Sequence, residues 1–328
     1  MSIARYIREI GRGKEGARSL TADDAQDLMG QVLDRRVTDL EIGGFALAMR
    51  IKGESTQEMV GFHAAVLERC QPLSTTRPVV VLPSYNGARR LPNLTPLLAL
   101  LLAQEGVAVL VHGPSSDPDR TTSFEIMRDL GMIAARDGDD LEYAWERQQP
   151  AFMCTDVLCP PLAALLEVRR TMGLRNPGHS VAKVLDPFRS PLSLRVVNYT
   201  HPEYGVLLAD FCQSTGANAM VMRGTEGEPV ADPRRLPRMD LYIAGTADAA
   251  LGCLPQEGVL TELPVLPSSR DAATTAVYVQ AVLSGEKPAP EPVLRQVDTL
   301  VRALSAVSRP ASGKVADGRA QAGLQASA

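Results

Sequence analysis

Aromatic residues are scarce in this sequence, since they make up 4% of its 328 residues and include one tryptophan. Proteins that bind single strands by base stacking need several aromatic side chains on one surface. The sequence also lacks a helix-turn-helix signal, zinc-finger spacing and an RNP aromatic motif. These absences argue against a sequence-specific reader of DNA or RNA.

Positive net charge and paired cysteines are lacking as well. The formal net charge is −4, so no global basic field attracts the chain to DNA or membranes, although a local basic groove remains compatible with it. Of five cysteines only Cys154 and Cys159 lie close together, which fits neither a disulfide framework nor a CxxC metal ribbon. We interpret them as reduced thiols in the core of a cytosolic protein.

Long apolar runs are missing too. The longest, around Leu97 to Ala103, is far too short to span a bilayer. The N-terminal segment MSIARYIREIGRGKEG mixes both charge signs and has no apolar signal-peptide core. The sequence therefore predicts a soluble, cytoplasmic protein without a membrane partner.

Residues 1–75 predict a small helical domain. Thr21-x-x-Asp24, Thr38-x-x-Glu41 and Ser55-x-x-Glu58 each have the spacing of a capping box, and apolar residues at helical spacing follow each one. Such short amphipathic helices cannot bury their apolar stripes alone, so they need a second domain or a partner chain. We interpret His63, on the third stripe, as a packed and hydrogen-bonded histidine rather than a catalytic one.

From residue 76 onward short β-branched runs alternate with helical segments, which is typical of a mostly parallel sheet. Strands are predicted near 79–81, 107–111, 194–199, 219–223 and 239–244. Helices are predicted at about 94–105, 122–130, 138–147, 161–172, 270–284 and 290–306, and Thr122-x-x-Glu125 is a further capping box. The fold class is thus α/β with an N-terminal helical bundle: residues 76–169 and 191–308 form the larger domain, and 309–328 form a disordered tail.

The loop after the first strand has the position of a phosphate-binding loop but not its composition. Strand, loop, helix and strand follow one another, the geometry in which backbone N–H groups meet a phosphate at a helix start. Side chains at positions such as Tyr85, Arg89 and Arg90 would, however, crowd a close approach of the backbone to pyrophosphate. We therefore expect a degenerate loop.

In the order of these elements, over about residues 20–308, the chain resembles anthranilate phosphoribosyltransferase and its relatives with the nucleoside-phosphorylase type II fold, glycosyltransferase family 3. Two segments carry the resemblance most clearly, Met49-Arg50-Ile51-Lys52-Gly53-Glu54-Ser55 and Ala281-Val282-Leu283-Ser284-Gly285-Glu286-Lys287. The resemblance implies a crossover at about 170–190 that returns through the helical domain. It also implies a homodimer formed through the N-terminal helices.

The chain departs from the family's active members at three motifs. GTGGD is replaced by Leu82-Pro83-Ser84-Tyr85-Asn86, KHGN by Val111-His112-Gly113-Pro114, and the Asp-Glu pair of HGxxGLDE by Pro229-Val230. Glu226 or Glu228 could replace that pair, although a ligand shifted within a tight turn points in a different direction. With these departures the chain resembles the YbiB-type paralogues, which keep the fold, lack the transferase activity and bind nucleic acid. The resemblance implies no catalytic residue, no metal site and no cofactor, and a degenerate substrate loop that consists of Ser84, Tyr85, Asn86, Gly87, His112 and Gly113.

Arginines accumulate where the family's substrate site should lie. They are Arg89, Arg90, Arg120, Arg169, Arg170, Arg175, Arg223, Arg234, Arg235 and Arg238. In the family the position of Arg169 contacts anthranilate. Arginine binds phosphate bidentately and stacks on bases, so a groove lined with it suits a nucleic-acid backbone. The alternative is that these are scattered surface charges paired with Asp and Glu.

Three functions follow as hypotheses. The first is non-specific binding of DNA or RNA phosphates through the arginine-lined groove, by a protein with no catalytic activity. The second is a surviving phosphoribosyltransferase that uses Mg and an unidentified acceptor. The third is a scaffold that binds only proteins.

Overall fold

The computed structural model describes residues 2–13, 15–258 and 263–308, so the predicted disordered tail lies outside the described residues. The helices are α1 (Ala4–Ile10), α2 (Ala22–Leu33), α3 (Asp39–Lys52), α4 (Thr56–Leu67), α5 (Thr95–Gln104), α6 (Ser123–Asp129), α7 (Gly138–Glu146), α8 (Thr155–Leu158), α9 (Pro160–Met172), α10 (Pro177–Ala182), α11 (Glu203–Thr215), α12 (Ala272–Leu283) and α13 (Glu291–Val307). The strands are β1 (Val79–Pro83), β2 (Ala108–Gly113), β3 (Ala151–Cys154), β4 (Ser193–Tyr199), β5 (Ala219–Arg223), β6 (Met239–Ile243) and β7 (Thr246–Ala247).

The strands form one sheet in the order β3-β2-β1-β4-β5-β6-β7. The first five in this order run parallel, whereas β6 is antiparallel to β5 and β7 is antiparallel to β6. Parallel neighbours need crossover connections, which the helices between the strands supply. The predicted fold class, a helical bundle with a larger and mostly parallel α/β domain, is confirmed.

Both faces of the sheet are buried. Along β1, Val79 and Val81 join the core of the helical bundle, and Val80 and Leu82 join the core beneath α5, α12 and α13. Successive residues of a strand point to opposite faces of the sheet, so the apolar residues of β1 contribute to two hydrophobic cores. The helices of the bundle therefore pack against one face of the sheet, and α5, α12 and α13 pack against the other.

The capping boxes in the sequence mark the N-terminal ends of helices in the structure. Both hydrogen bonds of a capping box are present at Thr38, Ser55 and Thr122. At Thr21 the hydroxyl oxygen accepts the N–H of Asp24 at 3.2 Å, but the Asp24 carboxylate bonds the hydroxyl instead of the N-cap backbone. Three of these four ends thus carry the full reciprocal cap.

None of the helices within the described residues combines the length and the apolarity needed to cross a bilayer. The cytoplasmic location stays a prediction.

His63 is packed, as the sequence predicts. It is buried, and its ring meets that of Phe211 edge to face with centroids 5.2 Å apart. Its Nε2 has no hydrogen-bond partner among the described residues, so the predicted hydrogen bond is absent at this nitrogen. Burial, with a further effect of the Arg195 charge, lowers the pKa of His63 to about 3.

This buried imidazole makes stability depend on pH. The folded pKa lies below the unfolded value of about 6.5, so the unfolded chain takes up the proton first as the pH falls, and stability is lost below pH 6.5. At pH 5 the loss relative to pH 8 is about 2 kcal/mol. When the pH falls from 8 to 5, we expect the free energy of unfolding of His63→Gln to decrease by about 2 kcal/mol less than that of the wild type, as measured by urea unfolding. The same pH dependence in both proteins would contradict a neutral buried His63.

Candidate functional site

The predicted site residues lie at one edge of the sheet, where the parallel strands reach their carboxyl ends. The loops after β1 and β2, the turn after β5 and the segment from α9 to α10 all contribute to this edge. The carboxyl ends of parallel strands share one edge, so loops that are distant in sequence meet there, as ligand-binding loops do in open α/β sheets. We call this region the loop edge.

A glutamate fills the centre of the loop edge. The Glu228 carboxylate is buried and accepts the backbone N–H groups of Asn86 at 3.1 Å and Gly87 at 2.7 Å. It also accepts the Ser84 hydroxyl, the Thr95 hydroxyl at 3.2 Å and the Asn93 amide at 3.3 Å. Burial raises its pKa. The backbone N–H groups of Asn86 and Gly87 are therefore occupied by a carboxyl group of the same chain, and the expectation that side chains crowd the approach of pyrophosphate to this loop stays a prediction.

A second glutamate of the same turn meets the outer part of this loop. The Glu226 carboxylate accepts the backbone N–H groups of Arg89 at 2.6 Å, Arg90 at 2.9 Å and Leu91 at 3.4 Å. Its bonds with Arg89 and Arg90 are exposed, whereas those of Glu228 are buried. Each carboxylate thus uses a different set of N–H groups.

The turn itself leaves no carboxylate pair for a metal. Pro229 and Val230 follow Glu228, and both glutamates are engaged by the hydrogen bonds above. Over residues 2–13, 15–258 and 263–308, no three His, Cys, Asp or Glu side chains are grouped as metal ligands would be. The two positions of the family's Asp-Glu pair therefore offer no side-chain oxygen to a magnesium ion, and the absence of a metal site stays a prediction.

Two other members of the predicted substrate loop have structural roles. A Cβ atom at Gly113 would lie 1.9 Å from the Ser84 carbonyl oxygen, so only glycine permits this approach of the two loops. His112 is buried and its Nε2 lies 3.0 Å from the Leu185 carbonyl oxygen. Burial lowers the pKa of His112 to about 4, which keeps the ring neutral.

The ten predicted arginines fall into several groups along the loop edge. A cavity of about 760 Å³, which we call the arginine groove, is lined by Arg90, Arg223, Arg234, Arg235 and Arg238. Arg120 and Arg175 line a second cavity of about 680 Å³, and Arg169 and Arg170 line a third of about 230 Å³. Arg89 is exposed beside them. The arginines therefore lie along one edge but do not share one pocket.

Four of the ten arginines form ion pairs, as the alternative interpretation expects. These pairs are Arg169–Asp117, Arg170–Glu167, Arg234–Asp232 and Arg238–Asp240. The other six have no carboxylate partner within the part of the chain that the structure describes: Arg89, Arg90, Arg120, Arg175, Arg223 and Arg235. More than half of the set thus has no carboxylate within ion-pair distance among the described residues.

Several arginines of the loop edge influence one another. Burial lowers the pKa of Arg120, the neighbouring charges of Arg175, Arg169 and Arg89 lower it further, and the Asp117 carboxylate acts in the opposite direction. Arg175 donates to the Asn86 side chain and lies 5.9 Å from the centre of the Tyr85 ring. Like charges held this close favour an anion between them.

Lys183 is a cation of the loop edge that was not predicted from the sequence. Lys183 follows α10, with its ammonium 6.0 Å from the Tyr85 ring centre and 5.6 Å from that of Tyr204. These three residues share the wall of the second cavity with Arg120 and Arg175. The signal that could have revealed Lys183 is its position in the crossover segment, six residues beyond Pro177.

Comparison with known proteins identifies the family to which this chain is related. Residues 4–70 match the helical bundle domain of the glycosyl transferase family. An anthranilate phosphoribosyltransferase of Moorella thermoacetica is 26% identical over 94% of this chain and 93% of the enzyme. The protein YbiB of Escherichia coli (strain K12) is 39% identical over 89% of this chain and 91% of its own length. The chain belongs to the anthranilate phosphoribosyltransferase-like family.

Solved structures of this family have the same fold. The anthranilate phosphoribosyltransferase of Thermus thermophilus superposes with a TM-score of 0.68 at 21% identity, and covers 92% of this chain and 87% of its own. The Saccharomyces cerevisiae enzyme in complex with PRPP and Mg gives a TM-score of 0.59 at 12% identity, and covers 93% and 96%. At these identities the likeness concerns the fold alone.

Proposed function

We propose that this chain binds the phosphates of DNA or RNA through the loop edge, with little sequence preference, and that it has lost phosphoribosyl transfer. One observation carries the proposal: six arginines without a carboxylate partner among the described residues surround a loop whose inner anion-binding groups are filled by Glu228. A donor pyrophosphate would need the groups that Glu228 uses. A polyanion that lies across the edge would need only the arginines.

The chemistry of the arginine groove supports an extended phosphate backbone as ligand. Arg90, Arg223 and Arg235 are exposed there and form no ion pair among the described residues, and Tyr199 adds one aromatic side chain. Guanidinium groups bind phosphate bidentately and stack on bases, whichever base is present. Binding should therefore be mainly electrostatic, and its affinity should fall steeply as salt rises.

Fluorescence anisotropy tests this proposal directly. Labelled single- and double-stranded DNA of the same length, and an RNA of matching sequence, are titrated with protein at low salt and then at increasing salt. We expect binding to all three, with log K falling linearly with the logarithm of the salt concentration. No binding at low salt, or affinity indifferent to salt, would rule the proposal out, and a purely protein-binding scaffold would give the former result.

A phosphoribosyltransferase that acts on an unidentified acceptor is the second candidate, because the fold and the relatives are those of such enzymes. If it were correct, phosphoribosyl pyrophosphate with Mg would stabilise the folded state by mass action. We expect an unchanged melting temperature at millimolar donor and Mg, since Glu228 engages the backbone N–H groups of Asn86 and Gly87. A rise in melting temperature of several degrees would contradict the loss of donor binding.

We further propose that the chain is a homodimer through its N-terminal helices. On α3 the side chains of Leu40, Leu47 and Ile51 are 87%, 46% and 59% exposed, at the spacing of one helix face. An apolar stripe of this kind favours a partner surface. The double variant Leu47→Glu/Ile51→Glu should be monomeric in light scattering, whereas the wild type and the control Ile133→Glu, also at an exposed position, should be dimeric. A dimer in all three proteins would place the interface elsewhere.

A further inference from the structure

The backbone conformation of Glu226 is unusual and holds its carboxylate on the loop after β1. Its φ is +55°, in the left-handed region of backbone conformation that residues other than glycine, asparagine and aspartate rarely adopt. The carboxylate accepts three consecutive backbone N–H groups, those of residues 89–91. Consecutive N–H groups that converge on one oxygen atom or anion form a nest, the kind of concavity that binds phosphate in many proteins.

We propose that this nest of N–H groups is a phosphate-binding site, that Glu226 occupies it in the free protein, and that a nucleic-acid phosphate displaces Glu226 when it binds. The inference rests on the proposed function and goes further, since it assigns a backbone site for one phosphate and an internal competitor for it. The side chain of Glu226 then changes position between the free and the bound protein, whereas Glu228 of the same turn does not.

The two glutamates differ in what displacement requires. Removing Glu228 would leave buried hydroxyl and N–H groups without a partner, so its carboxylate stays in place. Glu226 is only partly buried, its bonds with Arg89 and Arg90 face solvent, and an incoming oxygen accepts the same donors. Exchange at Glu226 therefore leaves no buried donor unsatisfied.

The surroundings of the nest favour phosphate over a carboxylate. Glu226 lines the arginine groove together with Arg90, Arg223 and Arg235, which have no carboxylate partner among the residues described. A phosphate in the nest belongs to a nucleic-acid strand, and the neighbouring phosphates of the same nucleic acid contact these arginines. Glu226, in contrast, contributes only one negative charge. The glutamate thus lowers the affinity of the free site and keeps the nest filled when no polyanion is present.

Glu226→Gln tests the inference, because glutamine keeps the size of the side chain and removes its charge. The control is Asp232→Asn, which removes the same charge from the wall of the same groove and also releases Arg234 from its ion pair. Anisotropy titrations with a labelled single-stranded oligothymidylate compare both with the wild type at one salt concentration. We expect Glu226→Gln to bind at least threefold more tightly than the wild type, and more tightly than Asp232→Asn. If Asp232→Asn gains as much or more, general electrostatics explains the effect and the internal competitor is refuted.

A second measurement separates the nest from nucleic-acid binding. Inorganic phosphate is titrated into ¹⁵N-labelled Glu226→Gln, and the amide resonances of Arg89, Arg90 and Leu91 are followed. We expect saturable shifts of these amides, with weaker shifts in the wild type. If phosphate shifts these amide resonances but the protein does not bind DNA, the proposed function is refuted and the phosphate-binding nest is retained. If the amide resonances of Glu226→Gln do not shift, the nest is refuted even when the protein binds DNA.

Discussion

Replacing Arg90, Arg223 and Arg235 together by alanine will weaken the binding of single-stranded DNA by at least about tenfold at moderate salt. These side chains line the arginine groove and form no ion pair within the described residues. Each phosphate contact that is lost also removes about 0.7 from the slope of log K against log salt for a single strand, so the slope should fall by about two. Anisotropy titrations at four or more salt concentrations give both quantities.

A matched control separates local contacts from net charge. Arg128, Arg295 and Arg302 also carry three positive charges, but each is paired with a nearby acid and none lines the arginine groove. The triple alanine variant at these positions should keep nearly wild-type affinity and the wild-type salt slope. Equal losses in both triple variants would mean that the arginine groove is not the binding surface.

Glu228→Ala will destabilise the protein by on the order of 4 kcal/mol, the largest effect on stability that we expect from a single change at the loop edge. The substitution leaves the N–H groups of Asn86 and Gly87 and the hydroxyl of Thr95 without their buried acceptor. It also opens a cavity where the side chain was. Urea unfolding followed by circular dichroism measures the change in the free energy of unfolding.

Glu226→Ala is the control for this stability measurement, since it removes the same side chain from the same turn. The hydrogen bonds of Glu226 with Arg89 and Arg90 are exposed, so water replaces the lost acceptor, and the expected cost is below about 1 kcal/mol. Similar costs for the two variants would show that Glu228 does not hold the loop after β1, and would remove the reason for expecting that the donor is excluded.

The parts of the fold that depend on local sequence were predictable. The caps at Thr38, Ser55 and Thr122 require only a hydroxyl and an acid three residues apart, and all three form. β3 and α11 were not predicted. β3 has four residues, Ala151–Cys154, which are buried throughout and show no alternation, and α11 has no side-chain cap at Pro202 to mark its start.

The candidate site was predictable in composition but not in its bonding. The ion pairs Arg234–Asp232 and Arg238–Asp240 join residues two positions apart, which agrees with the alternative of surface arginines paired with Asp and Glu. The pair Arg169–Asp117 joins α9 to the loop after β2, and the bond from Asn86 to Glu228 joins residues 142 positions apart. Such contacts depend on strand order, which the sequence did not reveal. For that reason Glu226 and Glu228 were considered as possible metal ligands, whereas their carboxylates are occupied by N–H and hydroxyl groups of the same chain.

Photo-crosslinking tests the central claim most directly, because it locates the nucleic acid on the protein. Single-stranded DNA that contains 5-bromouracil is bound at low salt, irradiated and digested, and the crosslinked peptides are identified by mass spectrometry. We predict crosslinks in peptides that contain residues 84–91 and 199–238, around Tyr85, Tyr199 and the arginine groove. Crosslinks confined to α13 or to the outer face of the helical bundle, with none at the loop edge, would contradict the account.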